Sequence, residues 1–163
     1  MKPSKVLSAA VIGLAILPFT VQAQGCVAGS GNVQLSLAQI TTLLTGNLLC
    51  GRPGSGHTGN TSDRWQEEHL ANGDLFDYKR GPGHPVDPRE KVGNWFAGGS
   101  RSTATVTHAY GPTTAYAWRI FGPTTNNPGV SVYQFCNPTR PVQQVRAYVR
   151  TISPTGCGGV FPP

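Results

Sequence analysis

The ionisable residues of the chain are densest in "WQEEHLANGDLFDYK", Trp65 to Lys79, where Glu67 and Glu68 stand beside His69 and an Asn-Gly pair separates them from Asp77, Tyr78 and Lys79. A carboxylate two residues from an imidazole shares a face with it if both lie on a strand, because strand side chains alternate with period two. Glu67 would then suit a general base and His69 a general acid, with Tyr78 as a third polar group. The same trio suits two other roles: orienting a small bound molecule, or forming an internal hydrogen-bond network, since buried polar groups need partners. Catalysis also needs a substrate-activating partner that the sequence does not supply, so the spacing favours binding over an enzyme.

Other chemistry is sparser. His57, His69, His84 and His108 contain no HxH, HxxxH or HExxH spacing. No metal site is therefore expected, and a zinc or copper site would have to be assembled from separate segments. "GSGHTGN" at 54–60 lacks the lysine and the following helix of a phosphate loop. In "HPVDP" at 84–88, His84 and Asp87 offer cation ligands, but the two prolines more simply stiffen a loop. No GxSxG motif is present, so covalent catalysis has no serine nucleophile, and no cofactor is implied. "NTS" at 60–62 fits an acceptor sequon.

A hairpin must position the cluster. With Asn72 and Gly73 as the two central residues of a type I′ turn, His69 lies opposite Phe76, Glu67 opposite Tyr78 and Trp65 opposite Arg80. Trp65, Glu67, His69, Phe76 and Tyr78 then form one face, which its aromatics mark as the inner one. Glu68 and Asp77 oppose each other on a solvated face and repel unless Lys79 or Arg64 screens them.

Around this hairpin the chain reads as β structure. "SLAQITTLLTGN" predicts one short helix near 36–45, capped by Ser36 and ended by Gly46, with Leu37, Ile40, Leu43 and Leu44 on its apolar face. From Leu48 on, short aromatic and β-branched segments predict about eight strands, near 47–52, 63–71, 74–80, 91–97, 103–110, 115–121, 130–136 and 142–151. Their connections are mostly short, which predicts a sequential antiparallel meander. An up-and-down barrel hides the edges of such a meander most economically, with a β-sandwich as the rival. The three prolines of "GPGHPVDPRE" at 81–90 predict a surface loop at the barrel mouth.

Lys2 and Lys5, the apolar "VLSAAVIGLAILPF" and the small-residue "VQA" predict a signal peptide over 1–23. The apolar run is too short to span a bilayer, so no membrane span is expected. Residues 24–163 then form one domain, secreted or periplasmic. The chain has four cysteines. Cys26 could be lipidated, but four cysteines in an exported chain read more naturally as two disulfides with three possible connectivities. Cys50 with Cys136 and Cys26 with Cys157 would each tie an early segment to a late one. The formal charge is +6, falling to +4 without Lys2 and Lys5, and the arginines are scattered. That argues against a nucleic-acid partner.

"LLTGNLLC", "RWQEEHLANGDLFDYK", "KVGNW" and "VYQFC" together resemble a pattern in small exported bacterial β-proteins of unassigned function. "VGNW" at 92–95 is also similar to the Gly-x-Trp element of lipocalin-like barrels, where the tryptophan packs across the barrel end. The resemblance covers most of 43–136 and implies that Trp95 packs inside. The resulting reading is an exported binding or carrier module for a small molecule, with Trp65, Glu67, His69, Phe76, Tyr78, Trp95, His108 and Tyr116 lining its pocket. A self-assembling adhesive subunit and a secreted enzyme using Glu67 and His69 are the alternatives.

Overall fold

The computed structural model describes residue 26 and residues 33–53, 64–77, 89–124, 131–140, 144–154 and 156–157. The expected signal peptide at 1–23, the loop at 54–60, Tyr78 and the proline-rich 81–88 lie outside them.

The helix α1, Leu37–Leu44, starts where the sequence places a cap. The Ser36 hydroxyl accepts from the Gln39 N–H, and the Gln39 side chain accepts from the Ser36 N–H at 2.8 Å. This reciprocal pair satisfies two donors that the helix start would otherwise leave open. Gly46, at φ +72°, turns the chain out of the helix. Ile40 and Leu44 are fully buried and join a core cluster with Leu49, Leu75, Trp95, Val106 and Ile120.

Eight strands follow: β1 (Asn47–Pro53), β2 (Trp65–His69), β3 (Asp74–Asp77), β4 (Glu90–Gly98), β5 (Thr105–Tyr110), β6 (Thr114–Thr124), β7 (Val132–Cys136) and β8 (Gln144–Thr151). Each pairs antiparallel with its sequence neighbour, and β8 closes on β1 from Asn47↔Thr151 to Pro53↔Val145. The meander is therefore a closed up-and-down barrel, not a sandwich. Its inner face can be traced around the whole ring through the cross-strand pairs: Leu49, Glu67 and His69, Leu75, Trp95, His108, Ile120, Phe135, Val145 and back to Val149. At Gly93 a Cβ would lie 1.9 Å from the Ala109 carbonyl oxygen, so β5 passes too close for a side chain there.

The β2–β3 turn differs from the expected one. The Gly73 N–H bonds the Leu70 carbonyl at 3.0 Å, the Leu70 N–H bonds Asp74 at 3.0 Å, and Gly73 sits at φ +87°. This is a three-residue loop, a turn through Ala71 and Asn72 followed by a left-handed glycine, and not a two-residue type I′ turn. One extra loop residue slips the register by one and reverses the face of every residue on β3. His69 pairs with Leu75, Glu68 with Phe76 and Glu67 with Asp77.

The disulfides also correct the expected pairing: Cys26 bonds Cys136, and Cys50 bonds Cys157. Both alternatives join early segments to late ones, so sequence separation could not choose between them. Barrel closure does. Cys50 on β1 faces outward beside β8, and the chain leaving β8 folds back over that surface, where Leu48, Cys50, Val132, Tyr148 and Cys157 form a second apolar cluster. Among the described residues no helix is long and apolar enough to cross a membrane.

Candidate functional site

Two strands that are not neighbours in the ring, β2 and β5, bring four polar side chains together inside the barrel. Glu67 and His69 are alternate residues of β2, and His108 and Tyr110 are alternate residues of β5, so each pair points inward by the same period-two rule. Glu67, His69 and His108 are 4%, 0% and 3% exposed. A carboxylate and two imidazoles in an otherwise apolar interior are costly unless every polar atom finds a partner.

They do find partners. The Tyr110 hydroxyl donates to one Glu67 oxygen, and His108 Nδ1 lies 3.2 Å from the other. His108 Nε2 meets His69 Nε2 at 3.0 Å, and His69 Nδ1 reaches the Glu67 backbone carbonyl at 3.2 Å. One set of protons satisfies all of these contacts: His69 keeps its proton on Nδ1, while His108 donates from Nδ1 to the carboxylate and from Nε2 to His69.

Burial works against the Glu67 charge, but the His108 charge and the hydrogen bonds from His108 and Tyr110 outweigh it and hold the carboxyl below its ordinary range. Burial, reinforced by His108, depresses His69 to about 3, against the opposing pull of Glu67. His69 is thus neutral near pH 7. Burial and the adjacent Glu67 carboxylate push the Tyr110 phenol up, so it stays protonated and can only donate to the carboxylate.

The expected pocket residues separate under this geometry. Trp95 is inside, 7% exposed, with its ring edge-on to His69 and its indole N–H on the Leu70 carbonyl at 2.9 Å. His108 and Tyr116 also lie on the inner register, paired directly across β5 and β6. Phe76 does not. The register slip places it on the outer face opposite Glu68, where the Arg89 guanidinium sits 3.9 Å above its ring. Tyr78 lies outside the described residues, and Asp77 takes the place beside Glu67 that the sequence assigned to it. Trp65 occupies the expected strand position, opposite Gly51.

Tyr110 is the residue that sequence reasoning missed. Its signal was present: it follows His108 by two in a β-rich segment and so shares its face. Beyond Tyr110 an aromatic run continues along the inner wall, with Tyr110 6.0 Å from Tyr116 and Tyr116 stacked on Trp118 at 6.4 Å. Tyr116 is 43% exposed although its register position is inward, so solvent reaches the inner wall at that level. A separate apolar groove of about 410 Å³ lies beside α1, between Leu35, Leu43 and Tyr133, and shares no residue with the polar cluster.

No protein-family model matches the chain, and no curated protein or solved structure matches it.

Proposed function

We propose that the protein is an exported, disulfide-stapled carrier whose barrel mouth binds a small molecule with an aromatic or apolar body and a cationic or hydrogen-bond-donating end. One observation carries the proposal: an ionised Glu67 lies buried under a run of aromatic side chains whose outermost member, Tyr116, is solvent-exposed on an inward register. The aromatic faces offer apolar area and attract cations. Glu67 and its cross-strand neighbour Asp77 give the inner wall negative charge at that level.

Export is supported by the basic and apolar lead at 1–23, and by two disulfides with no free cysteine. The pairing of β8 with β1 leaves none of the eight strands with an open edge, which favours a carrier over a subunit that assembles by strand addition. Pairing Glu67 as base with His69 as acid is less favoured, since a neutral and wholly buried His69 has no proton to give on the side facing His108.

Native mass spectrometry of protein recovered from its own exported compartment, without refolding, tests this reading. A discrete organic mass on the monomer, lost in Tyr116→Ala, supports it and identifies the ligand class. An empty monomer from every growth condition, or a ladder of large assemblies, would sink it.

A further inference from the structure

The arrangement of the two imidazoles goes beyond the mouth and stands whether or not an organic molecule binds there. His69 and His108 come from different strands, yet both have the ring nitrogen farther from the backbone, Nε2, turned toward the other at 3.0 Å. Both also have the opposite nitrogen occupied: Nδ1 of His108 by the Glu67 carboxylate, and Nδ1 of His69 by the Glu67 carbonyl. Imidazoles that bind metals show this pattern, in which the second ring N–H is held by a carboxylate or a backbone carbonyl that fixes the tautomer and presents the other nitrogen's lone pair. Here a single residue supplies both holds.

We propose that His69 and His108 bind one divalent transition-metal ion through their Nε2 atoms, the ion displacing to solvent the one proton that His108 otherwise holds between them, with Glu67 as the positioning residue that orients both rings. The distance fits chelation. With metal–nitrogen bonds of about 2.0–2.1 Å, nitrogens 3.0 Å apart subtend an angle of roughly 91–97° at the ion. That angle suits the tetragonal geometry of Cu(II) or Ni(II) better than the tetrahedral geometry of zinc, and copper stands above nickel in general affinity. The N–H···N bond between the rings is also bent. A collinear bond would hold the ring centroids farther apart than the observed 4.9 Å, so the Nε2 directions are bent away from the line between the nitrogens. Glu67, His69 and His108 together place ligand-capable atoms within 4.8 Å of one another, all buried.

The test uses the full exported chain, treated with a chelator, returned to Cu(II) at one equivalent and passed through gel filtration. It is run in parallel on the double variant His57→Ala/His84→Ala, which removes the chain's other two histidines. The expected result is one retained copper per chain in both proteins, with an electron paramagnetic resonance spectrum showing two imidazole nitrogens. Glu67→Gln should keep the two-nitrogen spectrum and lower the affinity about 10–100-fold. No retained copper in the wild type, or copper lost in the His57/His84 variant, overturns the site. Unchanged affinity in Glu67→Gln overturns the positioning role. Because the wild-type spectrum carries the result, no folded His69 or His108 variant is needed. Failure here leaves the organic mass sought at the mouth untouched, so the two readings fail separately.

Discussion

On the outer face of β2, each buried polar side chain meets a segment that has to be fastened. Gln66 accepts the Cys157 N–H at 2.5 Å, holding the chain end that carries the Cys50 disulfide, and Glu68 receives Arg89 at 2.6 Å just before β4. On the inner face of the same strand, Glu67 and His69 fasten nothing at the periphery. They meet His108 and Tyr110, which are themselves in regular strand and already held by backbone pairing. The outer polar groups thus serve closure of the fold, whereas the inner ones form a connected cluster that closure does not require. Buried ionic groups are weak contributors to stability, so closure of the fold does not account for the inner cluster.

The comparison breaks most visibly at Glu67. Glu67→Leu leaves the buried His108 without its carboxylate partner and should cost about 3–5 kcal/mol. Glu67→Leu/His108→Leu replaces the pair by apolar volume and should recover most of that loss, because well-packed hydrophobic replacements of buried pairs are often neutral or stabilising. Urea denaturation of the two variants measures both values. A double variant as unstable as the single would make the inner cluster structural, like the outer one.

The next effect is in acid. His69 is depressed to about 3 in the folded protein from an ordinary 6.5, so the unfolded chain binds the extra proton first as pH falls. Its contribution is full above pH 6.5 and is lost as pH falls toward 3, at up to about 1.4 kcal/mol per pH unit. Glu67, also lowered, acts in the same direction further into acid, its contribution being present above its ordinary 4.5. Denaturation midpoints of the chelator-treated protein between pH 7 and 4 should fall, and His69→Leu should remove the part of that slope above pH 5. An equal slope in His69→Leu would place the acid sensitivity elsewhere.

The fold was legible in sequence because its signals were local. Ser36, Gly46 and the leucine spacing set the helix, and short turns between β-branched segments set a meander that closes most simply as a barrel. The inner positions of Glu67 and His69 followed from alternation, and that of Trp95 from the resemblance of its Gly-x-Trp element. What was not legible depended on single residues or on distant surfaces. Asn72-Gly73 suits both a two-residue turn and a three-residue loop, and that one residue decided whether Phe76 or Leu75 faces the core. The disulfide pairing depended on where the chain after β8 folds back. The His69–His108 contact spans 39 residues, so no local spacing could reveal it.

The smallest expected effect sharpens the comparison from the outer side. Gln66→Leu removes the acceptor of the buried Cys157 N–H and should cost about 1–3 kcal/mol, the usual penalty for an unsatisfied buried donor. The Cys50–Cys157 bond still tethers the chain end, so the loss should stay local: faster amide exchange around Cys157, with the exchange of β5 unchanged. Copper retention and its two-nitrogen spectrum should also be unchanged, since the Gln66 side chain lies on the opposite face from His69. If Gln66→Leu instead lowered copper affinity as far as Glu67→Gln does, the two faces of β2 would be coupled through the strand, and the outer hydrogen bond would be part of what holds the imidazoles in place.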